Sequence, residues 1–363
     1  KNLEDVVAWA HESGDRDLII ESTVQLCEIR LYAGQSEGVD ELHQELIRRV
    51  EAYPDCKLVG DLFASIGLAA YFRGDTEGAE RSWRDALAFF DAHQIPHGQT
   101  TMRLNLAVLL TELDRGEQAA SLHQLAIESA ISTGDVVREA VTHANYGNFL
   151  RLTNDWRRAE KEYRTAIRLH QYTGNVSYLS PAKGNFAALL LMQGRRKEAQ
   201  ELFEAIMLDA GDEDVWGRNI GYVSANRAGW YALEGDTDGV EHMLKRAKTI
   251  FIRFEDPRGL DVVHVAEVLK DLALARRSTD RLQGAIDQAQ ARFEWAYTAD
   301  PTNGRVPAKE TDDVRVIIRI VERVIAEITG SSEGTQAHTI QDTLVSEQSI
   351  ESIAVDEGDS PFS

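Results

Sequence analysis

Cysteine is nearly absent from this chain: Cys27 and Cys56 are the two among 363 residues. Two cysteines build no disulfide framework of the kind that staples small secreted domains, so a reducing cytosol is the expected setting. Long apolar runs are missing as well. No stretch approaches the ~20 residues that span a bilayer. The opening after Lys1 is acidic Asn-Leu-Glu-Asp, where a secretory signal would turn apolar. Positive charge is scarce: 39 Lys and Arg stand against 60 Asp and Glu, for a formal charge of −21. A surface of that sign repels a phosphate backbone and argues against nucleic acid as a general partner, though a local basic patch stays open.

Chemical signatures are lacking too. There is no HExxH, no paired CxxC, no P-loop and no Gly-x-Ser-x-Gly. His93 and His97 form the closest histidine pair, but they straddle a proline and have no third ligand nearby, whereas zinc sites converge three or four. Glu160 and Glu162 read as positions on exposed helix faces. The expectation is a protein that is not an enzyme and holds no metal or cofactor.

What the chain does contain is a repeat of about 40 residues, and repeats of that length signal stacked arrays. NYGNFLRLTNDWRRAEKEYRTAI (145–167) aligns with NFAALLLMQGRRKEAQELFEAIM (185–207) and with NLAVLLTELDRGEQAASLHQLAI (105–127). NRAGWYALEGDTDGVEHMLKRAK (226–248) follows more loosely; serine and glutamine take the asparagine slot in the units opening at Ser65 and Gln25. Two residues after that slot comes a small side chain: Cys27, Gly67, Ala107, Gly147, Ala187, Ala228. Seven further on comes a turn former: Gly34, Gly74, Asp114, Asn154, Gly194, Gly235. A second set of small or slender residues follows at Val39, Ala79, Ala119, Ala159, Ala199 and Val240. Between them apolar residues recur at three and four, the period of amphipathic helices and not of strands. Each unit is therefore expected to be a helical hairpin with a left-handed turn, unable to bury its own apolar face without its neighbours. His43 and His123 fall in second-helix slots that take a packing aromatic, and are expected to be partly buried structural residues.

This pattern resembles the tetratricopeptide repeat, with Gly147, Leu150, Ala159, Tyr163 and Ala166 in the defining slots. The usual period is ~34 residues, so 40 implies longer helices. An asparagine ahead of the Tyr-Gly pair is similar to the long repeats of kinesin light chain and of the sensor arrays of MalT-like bacterial signalling ATPases. The resemblance covers about residues 1–300. It implies an all-α, right-handed solenoid of about six to seven hairpins that binds protein or peptide, as the C-terminal sensor or scaffold part of a larger bacterial signalling protein.

On that reading the first helices line a concave wall, with inward positions at spacings of four, three and four. Asn105, Asn145, Asn185 and Asn226 then form a ladder down the wall. An amide offers both a donor and an acceptor, which suits the backbone of an extended peptide of almost any sequence. The resemblance implies that role for these four. Asn148, Arg151, Met192 and Tyr222 are expected to supply specificity beside them, with Tyr32, Tyr71 and Phe72 as an apolar anchor toward the N-terminus. The alternative for the ladder is that it bonds neighbouring helices. A second reading of the function is a small-molecule sensor: an enclosed aromatic pocket would favour it, and an open continuous groove would favour the peptide.

The ends differ from the middle. Residues 1–13 occupy the place of a second helix that lacks its first, as expected of a chain entered in mid-repeat; an unrelated capping helix is the other possibility. Asp300-Pro301-Thr302-Asn303-Gly304 breaks the helical pattern. Beyond it, residues 301–330 contain one more helix, opening at Thr311 or Asp312 and stopping at Gly330. Its stripe of Val314, Ile317, Ile318, Val321, Val324, Ile325 and Ile328, widened by Val316 and Ile320, predicts either a cap on the solenoid or a self-association surface over 311–328. From Ser331 the chain has no Lys or Arg and seven acidic residues, the composition of a disordered tail; a docking motif at 350–355 is one use for it.

Overall fold

The computed structural model describes residues 3–32, 35–51, 58–209, 219–254, 256–276, 281–297 and 312–330. Every regular element among them is a helix. After α1 (Leu3–Ser13) come six hairpins: α2 (Arg16–Tyr32) with α3 (Val39–Glu51), α4 (Val59–Phe72) with α5 (Thr76–Ala92), and α6 (Pro96–Glu112) with α7 (Gly116–Thr133). Then α8 (Val136–Leu152) pairs with α9 (Trp156–Thr173), α10 (Val176–Met192) with α11 (Arg196–Asp209), and α12 (Asn219–Glu234) with α13 (Thr237–Arg253). The seventh unit is irregular. Its first helix breaks at Glu267 into α14 (Pro257–Ala266) and α15 (Val268–Ala275), which pack on α16 (Leu282–Tyr297). Last comes α17 (Asp312–Thr329).

The repeat register is written into the backbone. Gly74, Asp114, Asn154, Gly194 and Gly235 all adopt positive φ, between 59° and 79°, at the turn inside each hairpin. Asp114 and Asn154 do so without being glycine, which short side chains able to bond locally tolerate best. Between hairpins, Gln94, Gly134 and Gly174 take the same conformation. Gly34 and Pro54 lie outside the described residues. Behind many of these turns an aspartate caps the next helix: Asp75 accepts from the Gly78 amide, Asp135 from Arg138, Asp155 from Arg158 and Asp236 from Gly239.

Small residues decide how closely the two helices of a hairpin approach. Gly67 lies against the Trp83 indole, and Gly147 against the Tyr163 ring, so a Cβ at either glycine would overlap the aromatic carbons. Cys27, Ala107, Ala187 and Ala228 occupy the same slot with no exposed surface. Between hairpins, Arg115 reaches back to Glu80 and Arg195 to Glu160, each at 2.6 Å, one repeat pair after another. Glu160 is thus a half-buried ion-pair member and not a solvated carboxylate. Glu162 is corrected likewise, since it accepts a 2.6 Å hydrogen bond from His143.

His43 and His123 are fully and not partly buried, at 4% and 1% exposure. They stand in register with Trp83, Tyr163 and Phe203, which are buried too. His43 shares a 2.9 Å hydrogen bond with Ser65, the residue in the asparagine slot of its neighbour.

α17 is the element that the repeat pattern does not generate. It turns back and lies along the inner wall, packing most on α14 and α12, and also on α10, α15, α16 and α8. Val314, Val316, Ile317, Ile318, Ile320, Val321 and Val324 are buried there. Ile320 sits on Gly229 of α12, where a side chain would leave no room, and Arg323 lies over Gly194. Glu327 pairs with Arg196 at 3.3 Å. Most of the broad stripe is therefore buried within the chain, with Ile325 and Ile328 half-buried. The tail 331–363 lies outside the described residues.

Two measurements check this packing. Deleting residues 309–363 is expected to lower the unfolding midpoint while leaving the solution mass per particle monomeric or otherwise unchanged, read by calorimetry and light scattering; a dimer turning into equally stable monomers would contradict it. The histidines set a pH signature. Burial pushes the imidazole of His43 down to about 4 and that of His123 down to about 3, so both fold neutral. Below pH ~6.5 the unfolded chain takes up protons that the folded chain refuses. Stability is then lost as pH falls from there toward 4 and 3, at up to about 1.4 kcal/mol per pH unit for each histidine. Replacing His123→Phe should flatten that slope in urea titrations run between pH 7 and 4.

Candidate functional site: a half-open chamber on the inner wall

A half-open chamber of about 520 Å³ lies on the inner wall, beside the face that α17 covers. Its lining comes from the first helices α2, α4, α6, α8, α10, α12 and α14 and from His123 of α7, with Asp313 at the edge where α17 begins. Because the hairpins repeat at 40 residues, side chains far apart in sequence reach the same space by holding the same place in successive first helices. Among the residues singled out from sequence, Tyr71, Phe72, Asn145, Asn148, Arg151, Asn185 and Tyr222 all line it.

Four others do not. Asn105 is half-buried on α6 but lies outside the lining, where Val108, Thr111 and Glu112 contribute instead. Met192 and Asn226 are buried, at 7% and 8% exposure, on the helices α10 and α12 over which α17 lies. Their expected place on an open groove is corrected to one within the packed half of the array. The side chain of Tyr32 falls outside the described residues. The ladder is thus two rungs of asparagine plus Asn148. Asn145 and Asn185 are half-buried, and neither makes a hydrogen bond among the described residues. Ser65, by contrast, uses its slot to hold His43. Asn148 accepts the Tyr163 hydroxyl at 2.8 Å, which leaves its amide hydrogens to donate.

The mouth of the chamber is crossed by a contact between the two halves of the array. Arg258, at the start of α14, donates to the Tyr71 hydroxyl at 3.2 Å, 187 residues away, and its guanidinium lies over the Tyr71 ring at 5.0 Å. The same hydroxyl donates to Glu112 at 2.5 Å. Burial, with the Glu112 charge adding to it, drives the Tyr71 pKa well above the ordinary phenol value, so the proton stays in place to make this bond. Tyr222 donates to Asp256 at 2.9 Å, and Asp256 also caps α14 through the Gly259 amide at 3.0 Å. Asp256, Arg258, Phe254 and Asn219 were not singled out from sequence, because they lie at helix ends and not in the inward slots of the first helices. Phase exists for Glu112, but it bonds Tyr71 only through the curvature of the array.

Among the described residues no three of His, Cys, Asp and Glu come together as metal ligands, and no helix is long and apolar enough to cross a membrane. Burial and the Arg138 guanidinium depress the His97 pKa, which makes that imidazole a neutral neighbour of an arginine. The sole cysteine described, Cys27, is buried, and burial raises its thiol to about 11. What the chamber offers is donors, acceptors and aromatic faces.

The Arg258–Tyr71 contact predicts its own test. Arg258→Ala should destabilise the chain by about 1.5–3 kcal/mol, the range for hydrogen bonds to charged groups. It should also raise amide hydrogen exchange at both α4 and α14, though they are remote in sequence. Exchange confined to α14 would show that the two halves do not hold each other.

No family model and no curated protein sequence matches this chain. Solved structures do. The apo form of RapI superposes with a TM-score of 0.54 at 12% identity, covering 84% of this chain and 98% of its own. A Rap protein complexed with competence and sporulation factor superposes at 0.59 with 11% identity, covering 87% of each. BtubC (BKLC) from P. vanneervenii covers 65% of this chain and 92% of its own at 22% identity, with a TM-score of 0.48, too loose a superposition to extend the comparison. At these identities the likeness is one of architecture: the chain has the tetratricopeptide-like helical repeat fold of the Rap proteins.

Proposed function

We propose that this chain is a ligand-binding helical repeat module whose chamber takes a short peptide in extended form. The observation that carries the reading is the state of Asn145 and Asn185. Both amides line the chamber, and neither is used by the fold among the described residues. Asparagine costs about 0.6 kcal/mol against alanine inside a helix. A backbone N–H and C=O arriving in the chamber would satisfy both ends of each amide. Asn148, Arg151, Tyr222, Tyr71 and Phe72 would surround such a peptide. A chamber of this volume, crossed by Arg258 and Tyr71, suits a few residues and not a long segment threaded along the array.

One Rap-fold neighbour is complexed with competence and sporulation factor, which lends the binding reading support by analogy of fold alone. The asparagine ahead of Tyr146-Gly147 supports a closer kinship with kinesin light chain or MalT-like arrays, and with it a role as the sensor or scaffold region of a larger bacterial regulator. The aromatic lining of Tyr71, Phe72, Phe149, Tyr222 and Phe254 supports a second reading, a small-molecule sensor. Free peptide pools and small-molecule pools offered to the same protein separate the two.

The test is the pair Asn145→Ala and Asn185→Ala, made together. Retention of a random hexapeptide pool should weaken by about 1–3 kcal/mol where a buried group loses its partner. The melting midpoint should hold or rise slightly through helix propensity. Lower stability with unchanged retention would mean that the amides hold the helices together and bind nothing.

A further inference from the structure

The second helices form the outer face of the array, and most of them are acidic. In α3, α5, α7 and α11 the Asp and Glu outnumber the Lys and Arg. α9 reverses the balance, with five Arg and Lys against two Glu. Arg157, Lys161, Arg164 and Arg168 recur at spacings of four, three and four, so they stand in one exposed line along the helix. Tyr172 extends that line by one more turn and is 82% exposed, the barest large apolar side chain among the described residues.

The fold engages only part of this stripe. Arg164 pairs with Glu160 at 2.7 Å and lies over the Phe186 ring, and Arg158 beside the stripe holds Asp155 and the Tyr146 hydroxyl. Arg157, Lys161 and Arg168 pair with no carboxylate among the described residues. Arg168 turns back to the Arg164 carbonyl and the Thr165 hydroxyl. By the repeat register Glu117 and Glu128 of α7 and Glu201 and Glu204 of α11 flank the stripe, yet none forms an ion pair with those three cations. Exposed cations are well solvated, so the stripe needs no partner for stability. What it supplies is a local positive field on a chain of net charge −21.

The chain itself contains the complement. From Ser331 to Ser363 there are seven acids and no Lys or Arg. Within that stretch EQSIESIAVDE (347–357) sets Glu347, Glu351, Asp356 and Glu357 around Ile350, Ile353 and Val355. Acid mixed with aliphatic matches a line of cations that ends in a bare ring. The point of departure fits as well. One turn before Gly330, Glu327 of α17 pairs with Arg196 at 3.3 Å, and Arg323 lies over Gly194 in the turn between α10 and α11. Arg195, between them, reaches Glu160 of α9 at 2.6 Å. The stripe thus begins one hairpin away from the end of α17. The 16 residues 331–346 can cover about 50 Å when extended.

We propose that the acidic segment 347–357 docks on the outer face of α9, its carboxylates against Arg157, Lys161 and Arg168 and its isoleucines against Tyr172. The contact is made within one chain, because the tether raises the local concentration of the segment far above that of any free copy. It is independent of the peptide reading, since no residue of α9 lines the chamber.

Lys161 is the one amine side chain of α9. Zero-length carbodiimide coupling on the full chain, mapped by mass spectrometry, therefore reports the contact. Coupling of Lys161 to carboxylates of 347–357 should exceed that of Lys245 and Lys248 on α13 by about tenfold, as three exposed ion pairs together allow. It should fall toward theirs at about 1 M salt, where charges are screened beyond ~3 Å. Arg157→Gln/Arg168→Gln/Tyr172→Ala keeps the reporter amine and should abolish the excess at an unchanged melting midpoint. If that variant melts lower, Ile350→Ser/Ile353→Ser decides instead: it leaves α9 intact and should also lower the excess. Equal coupling at Lys161 and the α13 lysines, coupling centred on Lys245 and Lys248, or an excess that neither variant lowers overturns the proposal. Coupling found only between copies, in a mixture of light and isotope-labelled chains, overturns it too and makes the tail a self-association arm.

Discussion

The close approach of a small residue on one helix to a large ring on the next sets the geometry of everything else in this molecule. Gly67 under Trp83 and Gly147 under Tyr163 bring the paired helices together. The buried series Cys27, Ala107, Ala187 and Ala228 repeats the device. A hairpin so formed still shows an apolar face, and stacking neighbours bury it, so stability is shared between adjacent units. Close packing in that slot leaves little tolerance for added volume. The spacing of first helices along the inner wall, and with it the position of each inward side chain, follows from these contacts.

Given that wall, the molecule uses its two halves differently. Over α10, α12 and α14 the wall is apolar enough to hold α17, whose valines and isoleucines complete a continuous core from Leu110 to Val324. Over α4, α6 and α8 the same wall carries asparagine, arginine and tyrosine, and α17 packs there only lightly. The difference is chemical. Gly229 makes room for Ile320, whereas Asn145 and Asn185 present amides that an aliphatic helix would leave unpaired, a cost that buried polar groups do not escape. A chamber results where the helix stops and the polar wall begins.

Polar groups at equivalent positions have also diverged in use. In the asparagine slot, Ser65 ties down His43, Asn226 is buried, and Asn145 and Asn185 stay unbonded among the described residues. An unbonded asparagine in a helix interior is less favourable than alanine. The two unbonded amides face the chamber, beside a buried arginine that pairs with no carboxylate among the described residues.

A great deal of this was legible in one dimension. Turn residues at intervals of 40, small residues in phase and a three-and-four apolar period specify the hairpins, because each depends on contacts within about 25 residues. Asn154 in a left-handed turn and Tyr163 over Gly147 are local facts of that kind. The amphipathic stripe of α17 was legible too, but not its destination. Whether Val321 and Ile317 cap an end, meet a second copy or fold back on α12 depends on the path of the chain and the curvature of the whole array. Curvature accumulates from small rotations between repeats. It also decides that Arg258 meets Tyr71 across 187 residues, and that Asn185 faces the chamber while Asn226 is buried. Local pattern determined the units and their order; only the summed geometry of their stacking determined which inward side chains share one chamber.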